Sequence, residues 1–160
     1  MQKYRFGNGI DAHRFYEGRP LILGGVTIPF PQGLLGHSDA DVLTHAIIDA
    51  LLGAAALEDI GTHFPDTDDR YKNISSIFLL DKTLEIITAA GYTIGQVDAT
   101  IVTQAPKIRP FVPAIRQSLA EHLRLAITDV SVKAKTTEGM GFTGRGEGIL
   151  VLATATLITL

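Results

Sequence analysis

The stretch that decides the fold is Gly-His-Ser-Asp-Ala-Asp-Val-Leu-Thr-His-Ala-Ile-Ile-Asp-Ala-Leu-Leu-Gly-Ala-Ala, residues 36–55. Apolar side chains recur in it with the period of an α-helix, which predicts a helix that is mostly buried. Ser38 and Asp41 have the spacing of a capping box in which aspartate replaces glutamate. The helix is therefore expected to begin near Ser38 or Asp39. Its apolar positions are Leu43, Ile47, Ala50, Leu51 and Ala54.

Three polar side chains interrupt this helix at intervals of four residues, namely Asp41, His45 and Asp49. Residues four apart lie on one face of a helix, so the three form one polar stripe. The stripe either faces solvent or belongs to a functional site. The neighbouring Val42 and Ile48 leave little of the helix to face water, which favours a site.

The chain around this helix alternates strands and helices, punctuated by glycine and proline. The predicted strands are residues 3–14, 21–28 with a break at Gly24-Gly25, 92–104, 130–136 and 147–159. The predicted further helices are residues 75–90 and a helix opened by Pro110 and Pro113 that turns Ile115, Leu119 and Leu123 inward. Residues 58–72 are predicted to form a long polar loop.

This order of elements predicts an α/β fold of the α+β layer type, with a mixed β-sheet covered by helices on one side. We expect a single domain over residues 1–160, since no linker, repeat or low-complexity tract divides the chain. The last strand is apolar on nearly every residue, which is typical of a strand covered on both faces.

Composition excludes several classes of function. The 160 residues are 46% hydrophobic and 19% charged, which indicates a folded core and not a disordered chain. A net charge of −3 offers no basic excess for nucleic acid. The N-terminus lacks a signal-peptide pattern, and the longest apolar run, 149–153, is too short to span a membrane. We expect an intracellular protein with neither a nucleic-acid partner nor a membrane partner.

The Asp11-Ala12-His13 segment is a candidate metal site, because residues i and i+2 of a strand project from the same face. The pair alone is more typical of an exposed strand end. With His45 it supplies two imidazoles and one carboxylate, a set that suits catalytic zinc with one open position and also other divalent ions. The chain has no cysteine, so any metal must be held by histidine and carboxylate. Asp41 or Asp49 is then expected to orient an imidazole.

Two loops carry further polar residues. Residues 59–69 form either a lid hinged at Gly61 or a solvated acidic loop. Residues 133–148 combine glycines with threonines, lysines and Arg145, which suit phosphate oxygens, although a glycine-rich hairpin has the same composition. Glu138 among these groups indicates a hard cation such as Mg²⁺ that bridges phosphates.

Six motifs occur in order over essentially the whole chain. They are Gly-Ile-Asp11-Ala-His13-Arg-Phe, Gly-His37-Ser38-Asp-Ala-Asp41, Asp59-Ile-Gly61, Phe64-Pro-Asp66-Thr-Asp68, Gln104-Ala-Pro-Lys107 and Thr136-Thr-Glu138-Gly-Met-Gly-Phe142-Thr-Gly-Arg145-Gly-Glu-Gly. Together they resemble the family of 2-C-methyl-D-erythritol 2,4-cyclodiphosphate synthases. The length indicates the form that is not fused to a cytidylyltransferase.

The resemblance implies a lyase of the non-mevalonate isoprenoid pathway. In such an enzyme the 2-phosphate of 4-diphosphocytidyl-2-C-methyl-D-erythritol 2-phosphate attacks the β-phosphorus of the same molecule. The products are the cyclic diphosphate and CMP. The family fold implies a homotrimer with sheets facing the trimer centre and active sites between subunits. It also implies a cytoplasmic location in a bacterium, or the plastid stroma after removal of a transit peptide.

The resemblance also implies roles for individual residues. Zn²⁺ is expected on Asp11, His13 and His45, and Mg²⁺ or Mn²⁺ on Glu138 and the substrate phosphates. His37 and Thr136 are expected to stabilise the transition state. Residues 59–61 and 64–68 are expected to hold the methylerythritol part of the substrate, and residues 103–109 with Lys135 are expected to hold cytidine and its phosphates from the adjacent subunit. Phe142 and Arg145 are expected near the substrate and a central cavity that takes an isoprenoid diphosphate. The expected substrate-binding residues are Asp11, Ala12, His13, His37, Ser38, Asp59, Ile60, Gly61, Phe64, Pro65, Asp66, Thr67, Asp68, Thr103, Gln104, Ala105, Pro106, Lys107, Ile108, Arg109, Lys135, Thr136, Thr137, Glu138, Phe142 and Arg145.

Lys135 departs from the family pattern, in which a hydroxyl residue is expected, and it either contacts a phosphate or points to solvent. Two other functions remain open at this point. One is a zinc phosphohydrolase that uses metal-bound hydroxide. The other is a non-catalytic trimer that binds isoprenoid diphosphates.

Overall fold

The structure, a computed structural model, describes residues 2–160; Met1, which the expected domain includes, lies outside the described residues. Its strands are Tyr4–Glu17 (β1), Leu21–Leu23 (β2), Val26–Ile28 (β3), Gln32–Leu34 (β4), Tyr92–Val102 (β5), Val130–Lys135 (β6) and Gly148–Thr159 (β7). Five of them form one sheet in the order β4-β1-β7-β5-β6, and β2 pairs with β3. β5 and β6 run parallel and the other pairs antiparallel, so the predicted mixed sheet is confirmed.

The three long helices pack on one face of this sheet, and two short helices lie in the connections between larger elements. They are Val42–Ala55 (α1), Ile60–His63 (α2), Ser76–Ala89 (α3), Val112–Leu123 (α4) and Gly141–Gly144 (α5). Eleven of the 14 residues of α1 are buried, which makes this helix the centre of the core. No helix within residues 2–160 combines the length and the apolar character that a membrane crossing needs.

Two glycines let α1 approach β1 closely. Gly7 and Gly9 project from the same face of β1, and a Cβ atom at Gly9 would lie 2.0 Å from the carbonyl oxygen of Ala46. A Cβ at Gly7 would lie 2.1 Å from the carbonyl oxygen of Ala50. The backbone of the helix therefore rests directly on the backbone of the strand.

No element formed by residues 2–160 covers the opposite face of the sheet. Phe6 is 76% exposed and Ile10 61% exposed on β1, and Leu152 is exposed on β7. The prediction that the last strand is covered on both faces is therefore wrong for the single chain. Buried and exposed residues alternate along β7, because all the large helices lie on one side.

The predicted start of the first helix is also wrong. Asp41 is the N-cap, and its carboxylate accepts a hydrogen bond from the backbone N–H of Thr44. The same carboxylate accepts the backbone N–H groups of Gly24 and Gly25, at 3.0 and 2.8 Å. Ser38 thus lies outside the helix, and the predicted break at Gly24-Gly25 is the turn of the β2–β3 hairpin, where both glycines have positive φ.

The segment 58–72 contains more structure than the predicted loop. It includes α2 and a turn of 3₁₀ helix at Asp69–Tyr71. Asp59 caps α2 by accepting from the N–H of Thr62, and Asp68 caps the 3₁₀ turn by accepting from the N–H of Arg70. From the sequence, these two aspartates are compatible with a solvated acidic loop. In the structure they are helix caps.

Candidate metal centre and active site

Three predicted metal ligands meet where β1 lies against α1. One ligand atom from each of Asp11, His13 and His45 lies within 4.8 Å of the other two. Oδ2 of Asp11 is 3.2 Å from Nδ1 of His13 and 3.3 Å from Nδ1 of His45. The i, i+2 spacing on the strand and the close approach of the helix together create this cluster.

The cluster has the chemistry of a cation site. Oδ2 of Asp11 and Nδ1 of His13 are buried and have no hydrogen-bond partner among the described residues. Buried polar atoms without a partner carry a free-energy cost that a bound cation removes. Two imidazoles and one carboxylate are the donor set of catalytic zinc sites, so these residues fit a divalent metal ion.

The three side chains shift one another's protonation. Burial raises the pKa of Asp11, but the nearby imidazoles of His13 and His45 outweigh it and lower the pKa from 3.8 to about 2. Burial lowers the pKa of His45, and the Asp11 carboxylate outweighs it and raises this pKa above its usual value. The ionised carboxylate thus favours a positive charge beside it, either a proton or a metal ion.

The far nitrogen of His45 contacts two serines. Nε2 lies 2.8 Å from Oγ of Ser76 and 3.1 Å from Oγ of Ser38. The expectation that Asp41 or Asp49 orients the imidazole is wrong, because both carboxylates have other partners. Asp41 caps α1, and Asp49 accepts the backbone N–H of Ile60 at 2.8 Å.

A cavity of about 490 Å³ opens beside the cluster. Its walls carry many of the residues expected to hold the methylerythritol part of the substrate. The lining residues are His13, Gly36, His37, Ser38, His45, Ile60, Gly61, Phe64, Pro65, Asp66, Thr67, Tyr71 and Leu79. Nε2 of His37 lies 3.2 Å from the carbonyl oxygen of Asp68, which holds the ring against the wall. Asp59 and Asp68 do not line the cavity, and they act as caps beside it.

A second cavity, of about 400 Å³, gathers most of the residues expected at the cytidine end. The lining residues are Thr103, Gln104, Pro106, Lys107, Ile108, Arg109, Pro110, Ala134, Lys135 and Thr136. Ala105 is not among them, and its carbonyl oxygen accepts the hydroxyl of Thr103 at 2.6 Å. The two cavities share no lining residue. His37 and Thr136, the two expected catalytic residues, therefore line different cavities of one chain.

The remaining expected residues lie outside both cavities. The hydroxyl of Thr137 is 2.9 Å from that of Thr143 and supports the turn before α5. Glu138 is exposed with positive φ, and it is not part of the Asp11 cluster. Phe142 is exposed, and Arg145 pairs with Glu147 at 3.3 Å. Ala12 is exposed, on the strand face opposite Asp11 and His13.

Some residues of the site were missed by sequence reasoning. Tyr71 and Leu79 line the first cavity, and Ser76 contacts His45. The sequence offers one weak indication that Ser76 has a role, which is that a small polar residue stands at the start of the predicted helix 75–90. Nothing in its spacing connects it with a histidine 31 positions earlier.

Comparisons with known proteins agree with this geometry. The model of the YgbB family matches residues 4–158. A 2-C-methyl-D-erythritol 2,4-cyclodiphosphate synthase of Lachnospira eligens is 59% identical over 145 residues, which are 91% of this chain and 79% of that protein.

Solved structures share the fold. The bifunctional IspDF of Campylobacter jejuni superposes with a TM-score of 0.96 at 42% identity, covering 100% of this chain and 43% of that protein. A 2C-methyl-D-erythritol-2,4-cyclodiphosphate synthase in a CDP-bound form superposes with a TM-score of 0.88 at 38% identity, covering 96% of this chain and 99% of that one. This chain therefore belongs to the YgbB family, the family of the 2-C-methyl-D-erythritol 2,4-cyclodiphosphate synthases.

Proposed function

We propose that this chain converts 4-diphosphocytidyl-2-C-methyl-D-erythritol 2-phosphate into 2-C-methyl-D-erythritol 2,4-cyclodiphosphate and CMP. An oxygen of the 2-phosphate forms a bond to the β-phosphorus. The bond from the β-phosphorus to the α–β bridging oxygen breaks, and CMP leaves with that oxygen and its electron pair. This activity is that of a lyase in non-mevalonate isoprenoid biosynthesis. The observation that carries the proposal is the Asp11, His13 and His45 cluster beside the first cavity.

An internal attack of this kind needs positioning more than covalent chemistry. The backbone around Ile60-Gly61 and residues 64–67 gives the first cavity a wall suited to a short polyol, and we assign Asp59–Gly61 and Phe64–Asp68 to the methylerythritol part. Ser38 lines the same cavity, and its hydroxyl, which accepts the N–H of Ala40 at 3.2 Å, is assigned to a phosphate oxygen of the substrate.

His37 is assigned to stabilise charge on the attacked phosphate. Its Nε2–H donates to the carbonyl of Asp68, because a carbonyl oxygen only accepts. This bond fixes the ring in the wall of the first cavity, to which the reacting part of the substrate is assigned. Thr136 is assigned the corresponding role from the second cavity.

The metal assignments follow from the donor sets. Asp11, His13 and His45 would hold Zn²⁺, and exposed Glu138 with the substrate phosphates would hold Mg²⁺ or Mn²⁺. Such ions supply Lewis-acid stabilisation of the charge on the phosphates. The chain has a net charge of −3, so positive charge from ions also offsets repulsion between protein and substrate.

The second cavity is assigned to cytidine and its phosphates. Its walls from Thr103 to Pro110 are mostly apolar, and Lys107, Arg109 and Lys135 supply positive charge. Lys135 lines this cavity, which supports a phosphate contact over a purely solvent-facing role. Thr137, Phe142 and Arg145 are assigned to the rim on the side of the trimer centre.

We infer that the active form is a homotrimer whose sheets face the trimer centre. Two observations support this. The uncovered sheet face carries exposed Phe6, Ile10 and Leu152, an apolar surface of the kind that subunits bury. The two cavities share no lining residue, as expected if each active site combines the first cavity of one subunit with the second cavity of its neighbour.

The trimer is tested by mass in solution. Light scattering during gel filtration is expected to give about 52 kDa, three times the 17.2 kDa of one chain. Phe6→Asp places a charge on the sheet face and is expected to shift this mass downward and to lower activity with it. A wild-type protein that is monomeric and fully active at the assay concentration contradicts the inference.

Three further assignments accompany the trimer. A central cavity near Phe142 and Arg145 is assigned to an isoprenoid diphosphate. Residues 1–160 are assigned to one cyclodiphosphate synthase domain. The bacterial source of the sequence relative described above supports a cytoplasmic location.

The activity is tested by incubating the purified protein with the diphosphocytidyl substrate and Mg²⁺, with and without a zinc chelator. We expect CMP and the cyclic diphosphate to form in equal amounts, as measured by ³¹P NMR. We expect the zinc chelator to cause a strong loss of turnover. Release of inorganic phosphate or an uncyclised product overturns the proposal and favours a zinc phosphohydrolase. Binding without any turnover overturns it in favour of a non-catalytic binder.

A further inference from the structure

We propose that Ser76, held by Asp39, is a positioning residue that fixes the ring orientation and the tautomer of His45 for metal binding. The inference rests on the metal-dependent function proposed above. It concerns a residue at the start of α3 that does not line either cavity. Ser76 thus acts on the site through His45 and not on the substrate.

Ser76 donates two hydrogen bonds to one carboxylate. Its backbone N–H donates to Oδ2 of Asp39 at 3.1 Å, and its hydroxyl donates to Oδ1 of Asp39. Oδ1 also accepts the backbone N–H of Asp41, the cap of α1, at 3.1 Å. Ser76 is fully buried, so water does not compete for these bonds. The N-termini of α1 and α3 are therefore tied together through Asp39.

The direction of the hydrogen bonds follows from the acceptor. An ionised carboxylate can only accept, so the hydroxyl hydrogen of Ser76 points to Asp39. The oxygen of Ser76 then has only lone pairs for the contact with His45, and Nε2 of His45, 2.8 Å away, must be the donor. A neutral imidazole carries one hydrogen, so Nδ1 of His45 is left with a free lone pair.

That lone pair points to the cluster. Nδ1 of His45 lies 3.3 Å from Oδ2 of Asp11, and no group in the described part of the chain forms a hydrogen bond with this Oδ2. Two lone pairs at this distance repel unless a cation lies between them. The hydrogen bond from Nε2 to Ser76 therefore selects the tautomer in which Nδ1 is a metal ligand.

The two serines near His45 have different tasks. Ser38 lies farther from Nε2 than Ser76 does, at 3.1 Å, and it lines the first cavity. Nε2 has a single hydrogen, and its shorter contact is with Ser76. Oγ of Ser38 lies 3.4 Å from Oγ of Ser76, and Ser38 is the donor of this long contact because the hydrogen of Ser76 points to Asp39. Ser76 positions the imidazole, whereas Ser38 can contact substrate.

The test compares Ser76→Ala with Ser75→Ala in titrations of the metal-free trimer with Co²⁺, followed by visible absorption. Ser75 is the N-cap of α3 and makes no side-chain capping bond, so its variant controls for the helix start. We expect Ser76→Ala to weaken Co²⁺ binding by roughly 10- to 100-fold, as loss of a ligand's outer partner does elsewhere. Ser75→Ala should bind Co²⁺ as the wild type does.

The melting temperatures of both metal-free variants are measured alongside. Unchanged Co²⁺ affinity in Ser76→Ala, or an equal loss in Ser75→Ala, overturns the proposal. A merely structural role for Ser76 would lower the melting temperature and leave the affinity of the folded fraction unchanged, which also overturns it.

A second measurement needs no variant. Long-range ¹H–¹⁵N correlation spectra of the zinc-loaded wild type report which nitrogen of His45 carries the hydrogen. We expect it on Nε2, and a hydrogen on Nδ1 overturns the proposal. Neither measurement uses substrate, so their outcome is independent of whether the reaction product is cyclic.

Discussion

Replacing His45 with alanine is expected to lower turnover by about a thousandfold, because Lewis-acid stabilisation is worth several kcal/mol and each 1.4 kcal/mol is tenfold in rate. The variant removes one of the three ligand atoms that lie within 4.8 Å of one another. Two remaining ligands hold a divalent ion weakly, so bound zinc measured by atomic absorption should fall together with kcat.

The variant is expected to remain folded. Position 45 lies inside α1, where alanine is the most favourable residue, and the imidazole contributes little to the apolar core. Circular dichroism of the variant should therefore match that of the wild type. The loss of turnover can then be assigned to the site.

A matched control is His122→Ala. His122 lies on α4 and pairs with Asp81, its Nδ1 3.0 Å from Oδ1, and it lines neither the first nor the second cavity. Its variant should keep wild-type turnover and metal content. If His45→Ala retains more than about a tenth of the wild-type kcat, a difference under 1.4 kcal/mol, the catalytic role of this metal centre is refuted.

Replacing Gly9 with alanine is expected to cost about 3 kcal/mol of the free energy of unfolding or more. The new Cβ would lie 2.0 Å from the carbonyl oxygen of Ala46 and 2.7 Å from the backbone nitrogen of Ala50. Both are backbone atoms of a buried helix, so no side-chain rotation relieves the overlap. Strand β1 and helix α1 must move apart, which is a large change for a protein of ordinary stability.

The same change should weaken metal binding. Gly9 lies two residues before Asp11 on β1, and the atom it would meet belongs to Ala46, the neighbour of His45. Separation of the two elements pulls Asp11 and His13 away from His45. Urea denaturation of the metal-free protein and Co²⁺ titration are the two measurements, and both should change.

Gly53→Ala is the matched control, because a Cβ there would lie 3.6 Å from the nearest atom, the carbonyl oxygen of Asn8, an ordinary contact distance. Alanine is favoured over glycine in a helix by up to about 1 kcal/mol, so this variant should be as stable as the wild type or more so. Equal stability of Gly9→Ala and wild type would show that strand and helix are not in such close contact.

The metal cluster could be predicted from the sequence because its signals are local. Asp11 and His13 stand at i and i+2 on a strand, and His45 interrupts an otherwise apolar helix. Each pattern restricts which face carries the side chain. The family resemblance then joins the two faces, which periodicity alone does not do.

The partners of His45 could not be predicted, because they depend on how α3 docks. Ser76 reaches His45 only through the packing of α3 against α1, and that packing is set by apolar contacts spread along both helices. The predicted partners Asp41 and Asp49 are near in sequence but engaged elsewhere. Local spacing identifies which residues share a face, and it does not identify what the neighbouring element brings to that face.

The choice of cap shows a similar competition. Ser38 and Asp41 are both good N-cap residues, and the sequence pattern favours the earlier one. Asp41 prevails because its carboxylate also accepts the N–H groups of Gly24 and Gly25 in the hairpin turn. One buried side chain thus joins two elements that are not neighbours in the sequence. Burial raises the pKa of this carboxyl, and its four hydrogen bonds counteract that effect.

The pairing of β1 with β7 has a consequence for the order of folding. Tyr4 pairs with Ile158 and Arg14 with Gly148, so the strand that carries Asp11 and His13 is joined to a strand more than 130 residues further along the chain. Strand pairs so distant in sequence form slowly, because the chain loses conformational entropy when the long loop between them closes. The stabilising contacts form only after that loss. On a ribosome, β1 has to wait until residues 148–159 have been synthesised before its central neighbour in the sheet is available. The strand that carries Asp11 and His13 therefore gains its rigid backbone late, after local helices have had time to form.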